Sequence, residues 1–195
     1  MVEKEMKKEL RERFLSKRNL LSKLEVFEKS NEIKEKLLEL PEFIEAKTIM
    51  SYISFRNEAR THELIKESIK KNKRIVIPIT DFKKKKIYLS EVRDFEKELI
   101  SSRIGLFQPK REFLRPVNEK ELELIIVPGI AFDEKGCRIG FGKGYYDSFL
   151  KKVKKSVPVI ALAFENQISN KKLPSKKHDK HAHKIITEKR VIECK

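Results

Sequence analysis

The hydrophobic positions of the first 40 residues recur at helical spacing and predict two helices. Met6, Leu10 and Phe14 lie four residues apart, so they share one face of the first helix. Ser22 followed by Glu25 is a capping-box pattern, which predicts the start of the second helix. The apolar positions that follow keep the helical spacing as far as residue 38.

Beyond Pro41, which predicts the end of the second helix, the hydrophobic pattern changes to one typical of buried strands. Strands are predicted at 48–53, 74–78, 87–92, 124–128 and 159–164, with a weaker sixth at 184–187. Helices are predicted at 62–71 and 145–152, a turn at 83–86, and a loop at 170–183. Strands that alternate with helices favour an α/β fold around a mainly parallel sheet. No repeat or shift in composition divides the chain, so residues 1–195 are predicted to form one domain.

The composition is strongly basic, and it excludes a membrane-spanning or secreted protein. Lys and Arg number 46 and Asp and Glu 30, which gives a formal net charge of +16. No apolar run approaches the roughly 18–20 residues that span a bilayer. The charged N-terminus lacks a secretory signal, and Cys137 and Cys194 form no disulfide framework. A cytoplasmic protein with no membrane partner is therefore predicted.

Two explanations account for the excess of positive charge. One is an anionic partner, either a nucleic acid or a small polyanion such as a nucleotide. The other is a high growth temperature. The chain has 25 Glu against 5 Asp, 34 Lys against 12 Arg, and two Gln. Such enrichment in Lys and Glu with few thermolabile amides is typical of hyperthermophile proteins, and it predicts high thermal stability.

Glycine is concentrated in the one segment that predicts chemistry. Five of the six glycines fall between Gly129 and Gly144, and the run 140–144 alternates glycine with Phe141 and Lys143. Alternating glycines can expose successive N–H groups to an anion, and the start of the following helix adds more. With Arg138 nearby, the segment predicts a phosphate-binding loop, although it matches neither common nucleotide-binding motif. The alternative is an ordinary surface turn.

The wider segment from Val127 to Asp147 resembles the signature of the 5-formyltetrahydrofolate cyclo-ligases, also called methenyltetrahydrofolate synthetases. The resemblance extends over nearly the whole chain, from the basic start of the first helix through 54–61 and 158–164 to 178–179. It implies a three-layer α/β sandwich, related to the sugar-phosphate isomerase and CoA-transferase group, with two N-terminal helices. It also implies conversion of 5-formyltetrahydrofolate and ATP to 5,10-methenyltetrahydrofolate, ADP and phosphate, with Mg²⁺. We expect a monomer that binds no nucleic acid.

The resemblance also implies the residues of the site. The catalytic residues would be Lys143, Arg138 and Tyr145. ATP would be bound by Lys7, Lys8, Arg11, Arg138, Ile139, Gly140, Phe141, Gly142, Lys143, Gly144, Tyr145 and Tyr146. The folate would be bound by Phe55, Glu58, Arg60 and Tyr146, and Mg²⁺ by Asp147 and Asp179. From the residues alone, the tyrosines could equally be core residues, and Asp147 a helix-start carboxylate.

Two positions depart from the family pattern. Arg60 stands where related enzymes commonly place an acid, so its role is open, and a carboxylate of the folate glutamate tail is one candidate partner. His183 stands where the family often has an acid four residues beyond Asp179. With His178 and His181 it gives three histidines in six residues, which is compatible with a site for a softer metal.

Two other functions remain compatible with parts of the sequence. A nucleic-acid-binding protein would explain the charge, but it leaves the segment 127–147 unexplained, and clustered arginines with interleaved aromatic residues are missing. Another phosphate-handling α/β enzyme on the same fold would explain the glycine segment equally well.

Overall fold

The structure is a computed structural model that describes residues 2–81, 83–84, 86–102, 105–175 and 180–194. The helices are α1 (Val2–Asn19), α2 (Lys23–Leu38), α3 (Pro41–Glu45), α4 (His62–Lys70), α5 (Phe95–Glu98) and α6 (Tyr145–Leu150). The strands are β1 (Thr48–Ser51), β2 (Arg74–Asp81), β3 (Lys86–Val92), β4 (Leu99–Ser101), β5 (Phe107–Pro109), β6 (Leu124–Val127), β7 (Ala131–Asp133), β8 (Arg138–Ile139), β9 (Val159–Leu162), β10 (Ile168–Ser169), β11 (Lys184–Ile186) and β12 (Val191–Glu193). No helix in these ranges is long and apolar enough to cross a membrane.

The mainly parallel sheet that the sequence predicts is confirmed. Seven strands pair in the order β12-β11-β9-β6-β1-β2-β3. The five strands from β11 to β2 run parallel, whereas β3 and β12 are antiparallel to their neighbours at the two edges. Every residue of β1, β6 and β9 is buried, as expected for parallel strands that are covered on both faces.

Alternate residues of the central strands face two separate hydrophobic clusters. Ile49 of β1 joins a cluster that also contains Ile33 of α2 and Ile65 of α4. Met50, the next residue, joins a second cluster that contains Phe149 of α6. Since side chains alternate across a strand, α2 and α4 cover one face of the sheet and α6 covers the other.

A small second sheet carries the glycine-rich segment. It has the order β10-β7-β8 and packs its apolar residues against Phe14 of α1. Asp133, at the end of β7, is buried and accepts the backbone N–H groups of Lys135, Cys137 and Leu173 at 3.1, 3.0 and 2.8 Å. The hairpin of β7 and β8 therefore connects α1 to the loop that follows β8. The carboxylate of Asp133 is occupied by these three backbone hydrogen bonds.

Several local features agree with the sequence. The capping box between Ser22 and Glu25 is confirmed. In the predicted turn, the backbone N–H groups of Lys83 and Lys84 both donate to Asp81, each at 2.9 Å. The described parts of the predicted loop at 170–183 contain no helix or strand.

Other features differ from the prediction. Pro41 is the first residue of α3 rather than only a stop, because the first helical position needs no N–H donor. Strand β2 continues through Pro78, which the prediction placed at its end. Beyond Val76 the strand has no pairing with β1, so the missing N–H of Pro78 removes no hydrogen bond on that side. The hairpin of β4 and β5 and the small sheet were not predicted, since their strands are two or three residues long.

Candidate active site

Several of the predicted site residues lie at or near the carboxyl ends of β1 and β6, where parallel sheets usually bind ligands. Residues 52–61 follow β1 and connect it to α4, whereas Pro128 and Gly129 follow β6. The glycine-rich loop 140–144 connects β8 to α6 and lies next to these segments. This arrangement brings the predicted folate segment and the predicted phosphate loop to the same edge of the sheet.

The glycine-rich loop has the backbone conformation that its sequence predicts. Gly142 and Gly144 have φ angles of +83° and +69°, in the left-handed region that other residues avoid. Arg11 of α1 donates from Nε to the carbonyl oxygen of Gly140 at 2.8 Å. A Cβ atom on Gly142 would lie 3.2 Å from Cζ of Arg11. The structure thus brings Arg11 against the loop, as the prediction of a shared site requires.

The other predicted ATP-binding lysines differ in their exposure and in their carboxylate partners. Lys7 is half-buried on the same face of α1 as Arg11, with Glu3 3.1 Å away. Lys8 points to solvent, and its nitrogen lies 3.9 Å from Glu12, so the structure does not bring it to the loop. Lys143 is exposed, and no carboxylate among the described residues pairs with it.

The remaining predicted loop residues divide into exposed and structural ones. Phe141 is 59% exposed, so its ring is available to a ligand. Ile139 is buried, and its carbonyl oxygen accepts the N–H of Ile130 at 2.8 Å, which fixes the loop to the small sheet. Tyr145 is half-buried in the first turn of α6, directly after the loop.

Arg138 is the centre of a buried polar cluster behind the loop. Its Nη2 donates to Oδ1 of Asp147 at 3.0 Å, and its Nη1 donates to the carbonyl oxygen of Pro128 at 3.3 Å. The guanidinium carbon lies 5.1 Å from the ring centre of Tyr146. Burial raises the pKa of Tyr146 despite the opposing charge of Arg138, so this hydroxyl stays protonated at physiological pH.

The loop after β1 holds Glu58 in the interior. Glu58 is 7% exposed, and its Oε2 accepts the N–H of Phe55 at 2.9 Å. Burial raises the pKa of Glu58, although this hydrogen bond and the charge of Arg18 oppose the shift. The charge of Glu58 also raises the pKa of Tyr146, after the larger effect of burial. Phe55 is half-buried, and the guanidinium of Arg56 lies 5.0 Å from its ring centre.

Arg60 lies at the edge of this site rather than within it. Its side chain is exposed and its guanidinium lies 5.5 Å from the ring centre of Phe27, on α2. Its backbone N–H donates to Oγ of Ser30 at 2.9 Å. No carboxylate among the described residues pairs with the Arg60 side chain.

Comparison with known proteins agrees with the geometry. Residues 3–188 match the 5-formyltetrahydrofolate cyclo-ligase family. The chain belongs to this family. The resemblance inferred from the sequence is thereby confirmed.

Individual relatives match most of the chain. A probable 5-formyltetrahydrofolate cyclo-ligase of Schizosaccharomyces pombe is 31% identical over 176 residues, which cover 81% of this chain and 83% of the relative. A probable 5-formyltetrahydrofolate cyclo-ligase of Caenorhabditis elegans is 32% identical over 176 residues, which cover 85% of this chain and 84% of the relative. The solved structure of 5,10-methenyltetrahydrofolate synthetase from Aquifex aeolicus is 33% identical in sequence, with a TM-score of 0.83. The match covers 97% of this chain and 93% of the Aquifex aeolicus chain.

One buried residue of this cyclo-ligase site escaped the sequence analysis. Arg18 of α1 is 2% exposed, and its Nη1 donates to the carbonyl oxygen of Gly129 at 3.3 Å. The signal was present, since Arg18 follows Arg11 by seven residues and Phe14 by four, which places all three on one helix face. In a helix with so many charges, one more arginine was indistinguishable from the solvated ones.

The predicted metal ligands are represented by Asp147 alone, because Asp179 lies outside the described residues. The side chain of Asp147 is 37% exposed, beside the glycine-rich loop. Among the described residues, no three His, Cys, Asp or Glu side chains are grouped as a metal site. Mg²⁺ needs only one or two carboxylates when phosphate oxygens complete its shell, so Asp147 fits this ion.

The histidine-rich segment does not form the alternative site for a softer metal within the described residues. Nδ1 of His183 accepts the N–H of Val159 at 2.9 Å, and Nδ1 of His181 lies 3.1 Å from the carbonyl oxygen of Lys135. Each ring therefore has one nitrogen engaged with the backbone. The third histidine, His178, lies outside the described residues.

A cavity of about 520 Å³ lies beyond the carboxyl end of α6. Leu150, Val153 and Val157 are among its apolar lining residues. Its lysines are Lys135, Lys154, Lys155, Lys172 and Lys180. Leu150 follows Gly144, the last residue of the loop, by six residues, a rise of about 9 Å along a helix. The cavity therefore lies at the opposite end of α6 from the phosphate loop, next to the amino ends of β9 and β11.

Proposed function

We propose that this protein converts 5-formyltetrahydrofolate and ATP to 5,10-methenyltetrahydrofolate, ADP and phosphate, with Mg²⁺. Membership of the cyclo-ligase family supports the reaction. The observation that carries the proposal is that Arg138, beside the glycine-rich loop, donates to Pro128 at 3.3 Å. Pro128 follows β6, and β6 pairs with β1, which leads into the predicted folate segment. Two reactants bound to these segments would meet at one place.

The chemistry requires the two reactants to be adjacent. A formamide oxygen is a poor leaving group, so it first attacks the γ-phosphorus of ATP and ADP leaves. The N10 atom of the folate then attacks the activated carbon, the carbon–oxygen bond breaks, phosphate leaves, and the N10 proton passes to solvent. The protein must align the two reactants and neutralise the phosphoryl group during its transfer.

The described residues can meet these two requirements. Lys143 has no carboxylate partner among them, so its charge is available to the transferring phosphoryl group. Arg11 is held at the loop by Gly140 and can reach the same phosphates. Tyr146 stays protonated, and its half-buried ring lies 5.1 Å from the guanidinium of Arg138.

Asp147 would hold Mg²⁺ together with oxygens of the nucleotide, and we propose Asp179 as a second, weaker ligand. When bound, the ion would neutralise charge on the phosphates. The carboxylate of Asp147 is partly exposed, and only Oδ1 is engaged by Arg138 at 3.0 Å. The other oxygen remains available to a cation.

Arg60 would bind a carboxylate of the folate glutamate tail. Its guanidinium is exposed and has no carboxylate partner among the described residues. Arg60→Gln should raise the KM for 5-formyltetrahydrofolate and leave the KM for ATP unchanged. A KM for the folate equal to that of the unmodified protein would contradict this role.

The direct test of the function is to mix protein, 5-formyltetrahydrofolate, Mg²⁺ and ATP and to follow the absorbance of the methenyl product. The rate without protein is subtracted, and the protein is first shown to be folded at the assay temperature. Product that depends on ATP supports the proposal. A folded protein that forms no product at elevated temperature would refute it.

A further inference from the structure

Two oppositely charged side chains are buried on the folate side of the site. Arg18 of α1 is 2% exposed and Glu58 is 7% exposed. An isolated buried charge is very unfavourable, so each of these groups requires compensation from its surroundings. They belong to segments 40 residues apart in sequence, and the fold brings these segments together: Nδ2 of Asn57, beside Glu58, donates to the carbonyl oxygen of Leu21, three residues beyond Arg18, at 3.5 Å.

Arg18 has few partners for a buried guanidinium. Its Nη1 donates to the carbonyl oxygen of Gly129 at 3.3 Å, whereas its Nε is buried without a hydrogen-bond partner among the described residues. Glu58 is the carboxylate that stabilises its positive charge, with a smaller contribution from Tyr52, and Arg56 opposes it. Burial lowers the pKa of Arg18, and Glu58 counteracts this effect.

Glu58 is surrounded by groups from three elements. Arg18 faces it from α1, Tyr52 from the end of β1, and Tyr146 from α6. Within its own loop, Oε2 accepts the N–H of Phe55 at 2.9 Å. Arg18 is the one full positive charge that acts on this carboxylate among the described residues.

We propose that Arg18 is a positioning residue whose buried positive charge keeps Glu58 in the ionised form that binds the pterin ring of the folate. The proposal rests on the proposed function. The 2-amino group and the ring N–H beside it are adjacent donors, and a carboxylate accepts from both, whereas a protonated acid has one oxygen occupied by its own proton. The charge of Arg18 favours the form that can accept both hydrogen bonds.

The direction of the pH effect follows from the surroundings of Glu58. Burial raises the pKa of Glu58, and the charge of Arg18 opposes the rise. Folate affinity should therefore fall as the pH decreases through the pKa of Glu58. Without the charge of Arg18 that pKa rises further, so the loss of affinity on acidification should begin at a higher pH.

The test measures binding of 5-formyltetrahydrofolate by titration calorimetry without ATP, between about pH 5 and 8, where a raised carboxyl pKa would titrate. The variants are Arg18→Gln, which removes the charge but keeps a donor for Gly129, Arg18→Lys, which keeps the charge, and Glu58→Gln. Arg13→Gln is the matched control, because Arg13 is an exposed arginine on the same helix. Each variant is first shown to be folded by its thermal melt.

We expect Arg18→Gln to move the midpoint of the affinity loss to higher pH by about one pH unit or more. Arg18→Lys and Arg13→Gln should keep the midpoint of the unmodified protein. In a Glu58→Gln background, Arg18→Gln should change the affinity less than twofold. This last comparison separates loss of the charge interaction from a general disturbance of the fold.

Other results would overturn the proposal. If the midpoint does not move in Arg18→Gln, or moves equally in the Glu58→Gln background, Arg18 is a structural residue only. If Arg18→Gln does not fold, Arg18→Lys decides: a shifted midpoint despite the retained charge refutes the proposal, and an unchanged one supports it. If the unmodified protein binds the folate but makes no product with ATP, the proposed reaction fails while the role of Arg18 is still decided by the same titration. If the unmodified protein does not bind the folate, both proposals fail.

Discussion

Substituting Gly142 by alanine should weaken ATP binding because of two features of the free loop. Gly142 has a φ of +83°, and its added Cβ would lie 3.2 Å from the guanidinium of Arg11. Alanine in the left-handed region costs about 1–2 kcal/mol. The contact with Arg11 is tighter than most Cβ contacts, so the guanidinium, which donates to Gly140 at 2.8 Å, must also shift.

The two neighbouring glycines separate these causes. Gly144→Ala should have only the free-energy cost of a left-handed backbone, since its φ is +69° and nothing lies within 4 Å of the added Cβ. Gly140→Ala meets neither, since nothing lies within 4 Å of its Cβ and its φ is not in the left-handed region. When the free alanine loop relaxes out of this conformation and ATP binding must restore it, a cost of about 1–2 kcal/mol corresponds to a rise of roughly 5- to 30-fold in the KM for ATP. Gly142→Ala should therefore have the largest effect and Gly140→Ala the smallest.

The assay measures the KM for ATP at saturating 5-formyltetrahydrofolate, together with the melting temperature of each free protein. The melting temperature should fall in the order Gly140→Ala, Gly144→Ala, Gly142→Ala. If Gly142→Ala matched the unmodified protein in both measurements, or if Gly140→Ala lowered the melting temperature as much, the argument from the loop geometry would be wrong.

Four further outcomes are expected. Lys143→Ala should lower kcat/KM for ATP by an amount that corresponds to about 1.5–3 kcal/mol, the contribution of one charge-assisted hydrogen bond. Lys152→Ala is the control, because Lys152 is exposed and its substitution should change kcat/KM little. Asp147→Asn should raise the Mg²⁺ concentration needed for turnover and leave folate binding intact, and Asp179→Asn should do so more weakly; unchanged Mg²⁺ dependence in both would remove the metal assignment. Glu98→Gln should destabilise the fold by about 3–5 kcal/mol, because buried Glu98 accepts both Nη groups of Arg115 at 2.7 and 2.8 Å. Calorimetry should give a melting temperature above about 65 °C. A lower value would favour an anionic partner as the explanation of the excess positive charge.

The contribution of Glu98 to stability has a defined pH dependence. Burial raises its pKa, but the hydrogen bonds from Arg115 and from the N–H of Arg93 outweigh burial, and the pKa lies below its ordinary value of 4.5. A carboxyl group with a depressed pKa in the folded state stabilises the protein fully above its unfolded-state pKa. This contribution should be lost as the pH falls through the folded pKa, and Glu98→Gln should flatten that part of an acid denaturation curve.

The sequence predicted the long elements well and the short ones poorly, for a physical reason. The buried strands β1, β6 and β9 carry continuous apolar runs that local sequence alone specifies. Strand β8 has only two residues. It is stabilised by pairing with β7 and by the buried carboxylate of Asp133, which accepts the N–H of Cys137 directly before the strand. Such strands have no hydrophobic period of their own to detect.

The candidate site shows the same limit. The glycines of the loop predicted a backbone that could curl around an anion, and the left-handed φ angles of Gly142 and Gly144 agree with that flexibility. The contact of Arg11 with Gly140 depends on how α1 docks on the small sheet. The resemblance to the family assigned Arg11 to the nucleotide but did not predict this contact. The burial of Arg18 depends on the same docking, but no motif marked it. Lys8, one position from Lys7, was predicted to bind ATP with the others, and helical geometry turns it to solvent.

The ion pair between Arg138 and Asp147 would allow one small cluster to serve both the proposed cation and the proposed polyphosphate. Without nucleotide, each group balances the other, with Nη2 3.0 Å from Oδ1, and neither charge is left uncompensated in a mostly buried position. A magnesium nucleotide carries the same two kinds of charge, so the carboxylate can turn to the cation and the guanidinium to a phosphate oxygen without loss of charge balance. Nη1 would remain on the carbonyl oxygen of Pro128, which fixes where the guanidinium sits during this exchange. Asp147→Asn would remove the balance on one side only, which is why we expect it to affect the Mg²⁺ requirement rather than the folate.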